Sequence, residues 1–163
     1  MLETSIELMA TVNQPSVSDR KRRSITVPDP KSTEYRPRQS SGFAIIEQAR
    51  QGVSTRQVDQ LAQLLSITLK ELATLLQVAE RTLHRFRSEG QLDTQASERL
   101  LLLENLTAHA LLVFDGQADA LAAWLRHPLR ELKGQAPLSL LTTISGFGLV
   151  DDVLTRIEYG VYA

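Results

Sequence analysis

From Gly42 onward, apolar residues recur at the spacing of one helix face. Val58, Leu61, Ala62 and Leu65 follow i, i+3, i+4, i+7, and Leu69, Leu72, Ala73 and Leu76 repeat it. Ala118, Leu121, Ala122 and Leu125 make a third stripe, and Val150, Val153, Leu154 and Ile157 a fourth. No segment alternates with period two between turn signals, so the pattern predicts an all-α chain. Thr68 and Glu71 read as a capping box opening the second of these helices. His127-Pro128 stops the helix that carries Trp124, and Gly134 and Pro137 impose turns before a short helix starting at Leu138, Leu140 and Leu141. Gly146 and Gly148 flank Phe147 in what reads as a flexible turn. That puts Asp151 and Asp152 in the first turn of the last helix, which Gly160 closes.

The stretch from Thr94 to Phe114 differs, because "ERLLLLENLTAHALLVF" has leucines on more than one face. A helix apolar nearly all round must be covered on several sides. Two readings stand together: a central core helix between two lobes, and a dimer interface involving Leu102, Leu106 and His109.

Residues 72–88 fit a helix-turn-helix. Two short helices crossing steeply need a small residue at the contact and apolar residues around it. Ala73 is that small residue, and Leu72, Leu76, Val78, Leu83 and Phe86 supply the skeleton. Glu80, Arg81, His84, Arg85 and Ser88 are then left on the face a major groove would meet, with Thr82 and Arg87 placed for phosphates. Arg56 and Gln57 open an earlier helix and are candidates for further backbone contacts. The turn position that usually holds glycine is Gln77, which requires a left-handed residue there, and the cap position of the second helix is Ala79. The alternative is a plain helical hairpin whose basic face is merely solvated.

Composition sharpens the organisation. Residues 10–41 are rich in Ser, Thr, Pro and charge around "DRKRRS" and cannot bury enough apolar area to offset their ordering entropy. The expected layout is therefore a flexible arm over residues 1–41, mobile or loosely docked, a helix-turn-helix domain over 42–92 and a dimerisation and partner-binding domain over 93–163. The basic cluster of the arm reads either as a DNA-contacting segment or as a solvated tail. Residues 1–90 hold 13 Lys and Arg against 10 Asp and Glu, and residues 91–163 hold 5 against 9. A basic front and an acidic back suggest two faces with different partners. The 163 residues include no cysteine, which removes disulfides and thiolate metal sites. No apolar run approaches a membrane span, and "MLETSIELMA" carries acids where a signal peptide needs a basic region, so a cytoplasmic, soluble protein without membrane contact is expected.

Catalysis finds no footing. His84, His109 and His127 are scattered and form no HxxxH or HExxH pair, and no Gly-rich loop opens a helix in phosphate-binding form. Asp151 and Asp152 diverge by about 100° on a helix, so they do not face one reacting atom. No enzyme, no cofactor and no metal site are expected.

Three separated motifs, "AAWLRHP", "LKGQAPLSLL" and the ending "RIEYGVYA", occur in order behind "GVSTRQVDQLAQLLSITLKELATLLQVAERTLHRF". Together, over residues 43–163, the chain resembles the Xre/MbcA/ParS-type antitoxins, the partners of RES-domain toxins. The resemblance implies an Xre-like front lobe that binds operator DNA of its own operon, a back lobe that neutralises the toxin, and a homodimer. It implies a toxin akin to ADP-ribosyltransferases that consumes NAD⁺. Phe147, Asp151, Asp152, Arg156, Tyr159, Gly160, Val161, Tyr162 and Ala163 are the toxin-binding candidates it points to. Trp124 and Phe147 also read as core packing, and the two aspartates as complements of the helix dipole. In the tail, Tyr162 would stack in the slot of an NAD⁺ pocket while the Ala163 carboxylate pairs with an arginine. The competing reading is an orphan helix-turn-helix regulator whose back lobe only dimerises or senses a ligand.

Overall fold

The computed structural model describes residues 35–161, which form eight α-helices, one 3-10 turn and no strand, as the periodicity predicted. The front holds α1 (Gly42–Gln51), α2 (Thr55–Leu64), α3 (Leu69–Leu75) and α4 (Glu80–Glu89). The long α5 (Thr94–Val113) follows, then α6 (Ala118–Arg126), a 3-10 turn at Arg130–Leu132, α7 (Pro137–Leu140) and α8 (Ile144–Glu158). Side-chain oxygens cap five of the eight N-termini: Ser41, Ser54, Thr68, Asp93 and Thr143. Thr68 and Glu71 form the reciprocal box expected of them.

The helix ends are less ordinary. α2, α3, α5 and α8 all stop in the same way, with a left-handed residue two positions beyond the last helical one, at Ser66, Gln77, Asp115 and Gly160. The amides just past each end turn back onto the last carbonyls: Val78 N–H donates to Ala73 and Gln77 N–H to Thr74, and the other three repeat that pairing. Only one of the four residues is glycine. A left-handed L-residue costs about 1–2 kcal/mol. At Gln77, φ 58°, the side-chain amide offsets part of this by donating to the Thr74 carbonyl at 2.9 Å.

A single continuous core runs through the described residues, and α5 is its axis. α1 lies along one side of α5 and α8 along another, with α6 against its C-terminal half. This uses the leucines on several faces: Leu100, Leu101, Leu103 and Leu106 are all buried within one chain. Trp124 packs half-buried against that core, its ring 5.6 Å from Phe114 in a tilted arrangement.

The structure bears on two expectations. Residues 1–34 of the arm lie outside the described residues, but residues 35–41 are docked on α5. The Tyr35 hydroxyl donates to the buried Glu104 carboxylate, and Asn105 clasps Ser40 through its backbone N–H and carbonyl at 2.7 and 2.8 Å. Burial raises the Glu104 carboxyl above its usual range, and the Tyr35 hydrogen bond offsets part of that. Second, Gly146, Phe147 and Gly148 are not a turn but part of the first two turns of α8. Thr143 caps the helix there by accepting from Gly146 N–H at 3.0 Å. Gly146 is needed because a Cβ would lie 1.8 Å from the Leu140 carbonyl oxygen. Asp151 and Asp152 therefore sit mid-helix, past the reach of the dipole at its N-terminus.

Candidate DNA-reading and toxin-binding surfaces

α3 and α4 meet as a helix-turn-helix requires. Ala73 is 2% exposed at the crossing, and Leu72, Leu76, Leu83 and Phe86 are buried around it, with Val78 half-buried. Leu83 and Phe86 fix one face of α4 to the core, which turns Glu80, Arg81, His84, Arg85 and Ser88 to solvent, with Thr82 half-buried beside them. Arg81 meets no carboxylate among the described residues, and Arg85 lies 3.7 Å from Glu89 and 5.4 Å from the Phe86 ring centre. His84 stands 3.9 Å from Glu80, and the Ser88 hydroxyl donates to the His84 carbonyl at 3.2 Å. Arg87 differs from its neighbours: it pairs with Asp59 of α2 at 3.0 Å, so it braces α4 before it can meet a phosphate. Arg56 is exposed in the first turn of α2, where Ser54 caps the helix, and Gln57 is half-buried.

The toxin-binding candidates fall on two faces of α8. Phe147, 8% exposed, and Asp151 turn toward α5, where they line a groove of about 490 Å3 together with Leu102, Asn105 and His109. There the His109 ring holds Asp151 at 2.7 Å through Nδ1 and Glu158 at 3.2 Å through Nε2. Burial lowers the imidazole pKa, but the two carboxylates outweigh it and the net shift is upward. His109 is thus a clasp that holds α8 on α5. Asp152, Arg156 and Tyr159 lie on the opposite, outward face. Leu149, 52% exposed, continues their stripe at i, i+3, i+7, i+10. Extending that stripe backward finds Leu149 in the sequence once Gly146 and Gly148 are placed in the helix. Gly160 ends α8 at φ 66°, and Val161 beyond it is exposed. Tyr162 and Ala163 lie outside the described residues.

Of the dimer candidates, Leu106 is covered by its own chain at 7% exposure, Leu102 is half-buried at the groove, and His109 is engaged with α8. Leu106 still borders the same groove as Leu102 and His109.

The front and the back are joined by more than α5. Arg126 of α6 reaches Glu71 of α3 at 2.8 and 3.2 Å, and also the Ser66 carbonyl at 3.1 Å. This pair and the Thr68 cap bonds hold the Glu71 carboxyl down at about 2. Among the described residues no group of side chains is arranged to hold a metal ion, and no helix is long and apolar enough to cross a membrane.

Comparison with known proteins matches the front and back separately. Residues 44–105 match the antitoxin Xre-like helix-turn-helix domain, and residues 109–160 match the antitoxin Xre/MbcA/ParS C-terminal toxin-binding domain. An antitoxin Xre of Pseudomonas putida is 32% identical over 78% of this chain and 84% of its own. An antitoxin Xre of Yersinia enterocolitica is 27% identical over 76% of this chain and 84% of its own. A Sphingobium protein named Prs ADP-ribosylating antitoxin is 28% identical over 70% of this chain and 77% of its own. The helix-turn-helix of α3 and α4, the toxin-binding back lobe and these relatives agree: the chain belongs to the Xre/MbcA/ParS-type antitoxins, and is an antitoxin of a toxin–antitoxin system that carries a helix-turn-helix DNA-binding domain.

Proposed function

We propose that this antitoxin neutralises a RES-family, NAD⁺-consuming toxin by covering its active site, and that as a homodimer it binds the operator of its own operon to limit transcription. Residues 42–92 carry the operator contacts and residues 93–163 the dimer and toxin contacts. The observation that carries the toxin reading is the outward stripe of α8. Leu149, Asp152, Arg156 and Tyr159 present apolar, acidic, basic and aromatic chemistry in a row, free of the core, and the row runs straight into the Gly160 stop and the tail. An interface needs such a mixture: an aromatic and apolar centre for affinity, charge for register. Tyr162 follows and suits the aromatic-lined slot of a nucleotide pocket. The ADP-ribosylation in the name of the Sphingobium relative supports this chemistry, since ADP-ribosyl transfer draws on NAD⁺ as donor.

On the DNA side, Arg81 and Arg85 are the residues for guanine edges, His84, Glu80 and Ser88 flank them, and Thr82 meets a phosphate. Arg87 acts through its bond to Asp59. The deciding measurement is NAD⁺ consumption by the partner toxin with full-length antitoxin or with residues 160–163 deleted. The deletion is expected to relieve inhibition while operator binding stays intact. Equal inhibition by both would mean that the helical surface of α8, not the tail, closes the toxin site.

A further inference from the structure

The back half of the chain is acidic, with one exception. Residues 91–163 hold 5 Lys and Arg against 9 Asp and Glu, yet three of those five, Arg126, Arg130 and Lys133, fall between residues 126 and 133 beside a single acid, Glu131. There the chain doubles back in a tight hairpin: Leu129 N–H donates to the Gln135 carbonyl at 3.1 Å, and Leu132 is buried beneath. Arg126, His127, Arg130 and Lys133 are all exposed. Arg126 is held by Glu71, whereas Arg130 and Lys133 meet no carboxylate among the described residues. Both ends of the hairpin rest beside α3. Arg126 and Ala136 form one wall of a groove of about 330 Å3 whose other wall includes Glu71 and Thr74. Thr74 belongs to an exposed strip of α3, with Lys70 and Gln77 at i, i+4, i+7, that leads to the turn into α4. Lys70 also meets no carboxylate among the described residues.

We propose that this hairpin is a second DNA contact, in which Arg130 and Lys133, with Lys70 of α3, grip phosphates beside the segment that α4 reads. The proposal deepens the reading that the antitoxin binds its operator, and rests on it. In a helix-turn-helix the first helix crosses the phosphate backbone while the second enters the major groove, so an element seated along α3 is seated along the backbone. An acidic lobe anchored there would be repelled by DNA. This lobe instead gathers its positive charge at that edge, as an arginine fork and a lysine point charge, both suited to phosphate. Such contacts add affinity and hold the protein in register on the duplex, but carry no base preference.

The test is fluorescence anisotropy of the full chain on two duplexes of equal length, the region upstream of its own operon and an unrelated sequence, from about 50 to 200 mM salt. Wild type is expected to prefer the first, with affinity falling steeply as salt rises. Arg130→Gln combined with Lys133→Gln should weaken binding to both duplexes by a like factor, about tenfold or more at the lower salt. It should flatten the log–log salt slope by about 2, since each phosphate contact contributes about 0.9. Lys70→Gln should flatten it by about 1. Glu131→Lys adds charge to the same hairpin and should tighten both duplexes, a gain that misfolding cannot mimic. Because these side chains are exposed, melting followed by circular dichroism should change little. A wild type with no preference for its own upstream region removes the operator reading, and this contact with it. A wild type that has the preference, with affinity and slope unchanged in the hairpin variants, keeps the operator reading and overturns the hairpin contact. If the double variant then also loses inhibition of the partner toxin, the basic hairpin meets an acidic toxin surface and not DNA.

Discussion

Glu71 does two things in one place: it completes the cap of α3 and it grips Arg126 from α6. Glu71→Gln separates them, because the amide oxygen still accepts from the Thr68 N–H while the charge on Arg126 loses its partner. The carboxyl is lowered from 4.5 to about 2. Taken whole, that shift is worth about 3 kcal/mol. The side chains are 35% and 47% exposed, so solvent screens much of it, and about 1 kcal/mol remains. The sign follows from the depressed value. The stabilisation is present above the unfolded value near 4.5 and is lost as pH falls through the folded value near 2. Glu71→Gln should therefore melt roughly 2–6 °C below wild type at pH 7, with the gap closing between about pH 5 and pH 2. Arg126→Gln should show the same gap, and the double substitution should cost less than the sum. Thermal melts at pH 7, 4 and 2.5 measure this. A gap of the same size at pH 2.5 as at pH 7 would refute the reasoning, since the pair would then contribute through shape and not charge.

Gly146→Ala should destabilise by more than about 3 kcal/mol, because its Cβ would lie 1.8 Å from a backbone oxygen, whereas Gly148→Ala, in open space on the same helix, should stabilise by about 0.5–1 kcal/mol; urea unfolding compares them directly. The raised His109 value puts its clasp at full strength below about pH 6.5, weakening as pH rises through the folded value, so the melting gap between wild type and His109→Gln should shrink from pH 6 to pH 9. Arg81→Ala or Arg85→Ala should weaken operator binding by about 1–3 kcal/mol in mobility shifts, with steep salt dependence in wild type, while Arg87→Ala should act mainly on stability through Asp59. Tyr35→Phe leaves the buried Glu104 without its donor and should cost about 1–3 kcal/mol in chemical unfolding.

What could be read in the sequence was what local spacing controls. The apolar stripes placed the helices, the Thr68–Glu71 spacing gave the cap, and the small Ala73 among large neighbours marked the crossing of α3 and α4. What escaped depends on residues far apart in the chain. Tyr35 and Glu104 are separated by 69 positions, and nothing near Tyr35 says that its hydroxyl ends beneath a core helix. Gly146 and Gly148 look like a turn by propensity. They are helical because Thr143 caps them and Leu140 crowds the first so closely that only glycine fits. The surplus leucines of α5 announced extra burial but not by whom; α1, α6 and α8 of the same chain supply it. Left-handed Ser66 and Asp115 were not read either, since neither residue type announces a helix stop as glycine does, whereas the missing glycine at Gln77 stood out against a known motif.

The boundary between the two matched domains falls at residues 105–109, inside α5 and not in a loop. That has a consequence for anyone grafting the back of one antitoxin onto the front of another. A loop forgives a mismatched join; a helix does not. One residue too many in α5 would turn everything downstream by about 100° and advance it by about 1.5 Å. Such a splice would swing Arg126 away from Glu71 and the Thr142 carbonyl away from Arg99. Seven added residues nearly recover the angle, to within about 20°, but displace the lobe by roughly 10 Å. Exchangeable halves in this architecture must therefore share the phase of one helix, and a chimera joined in phase should melt in one step while one joined out of phase should not.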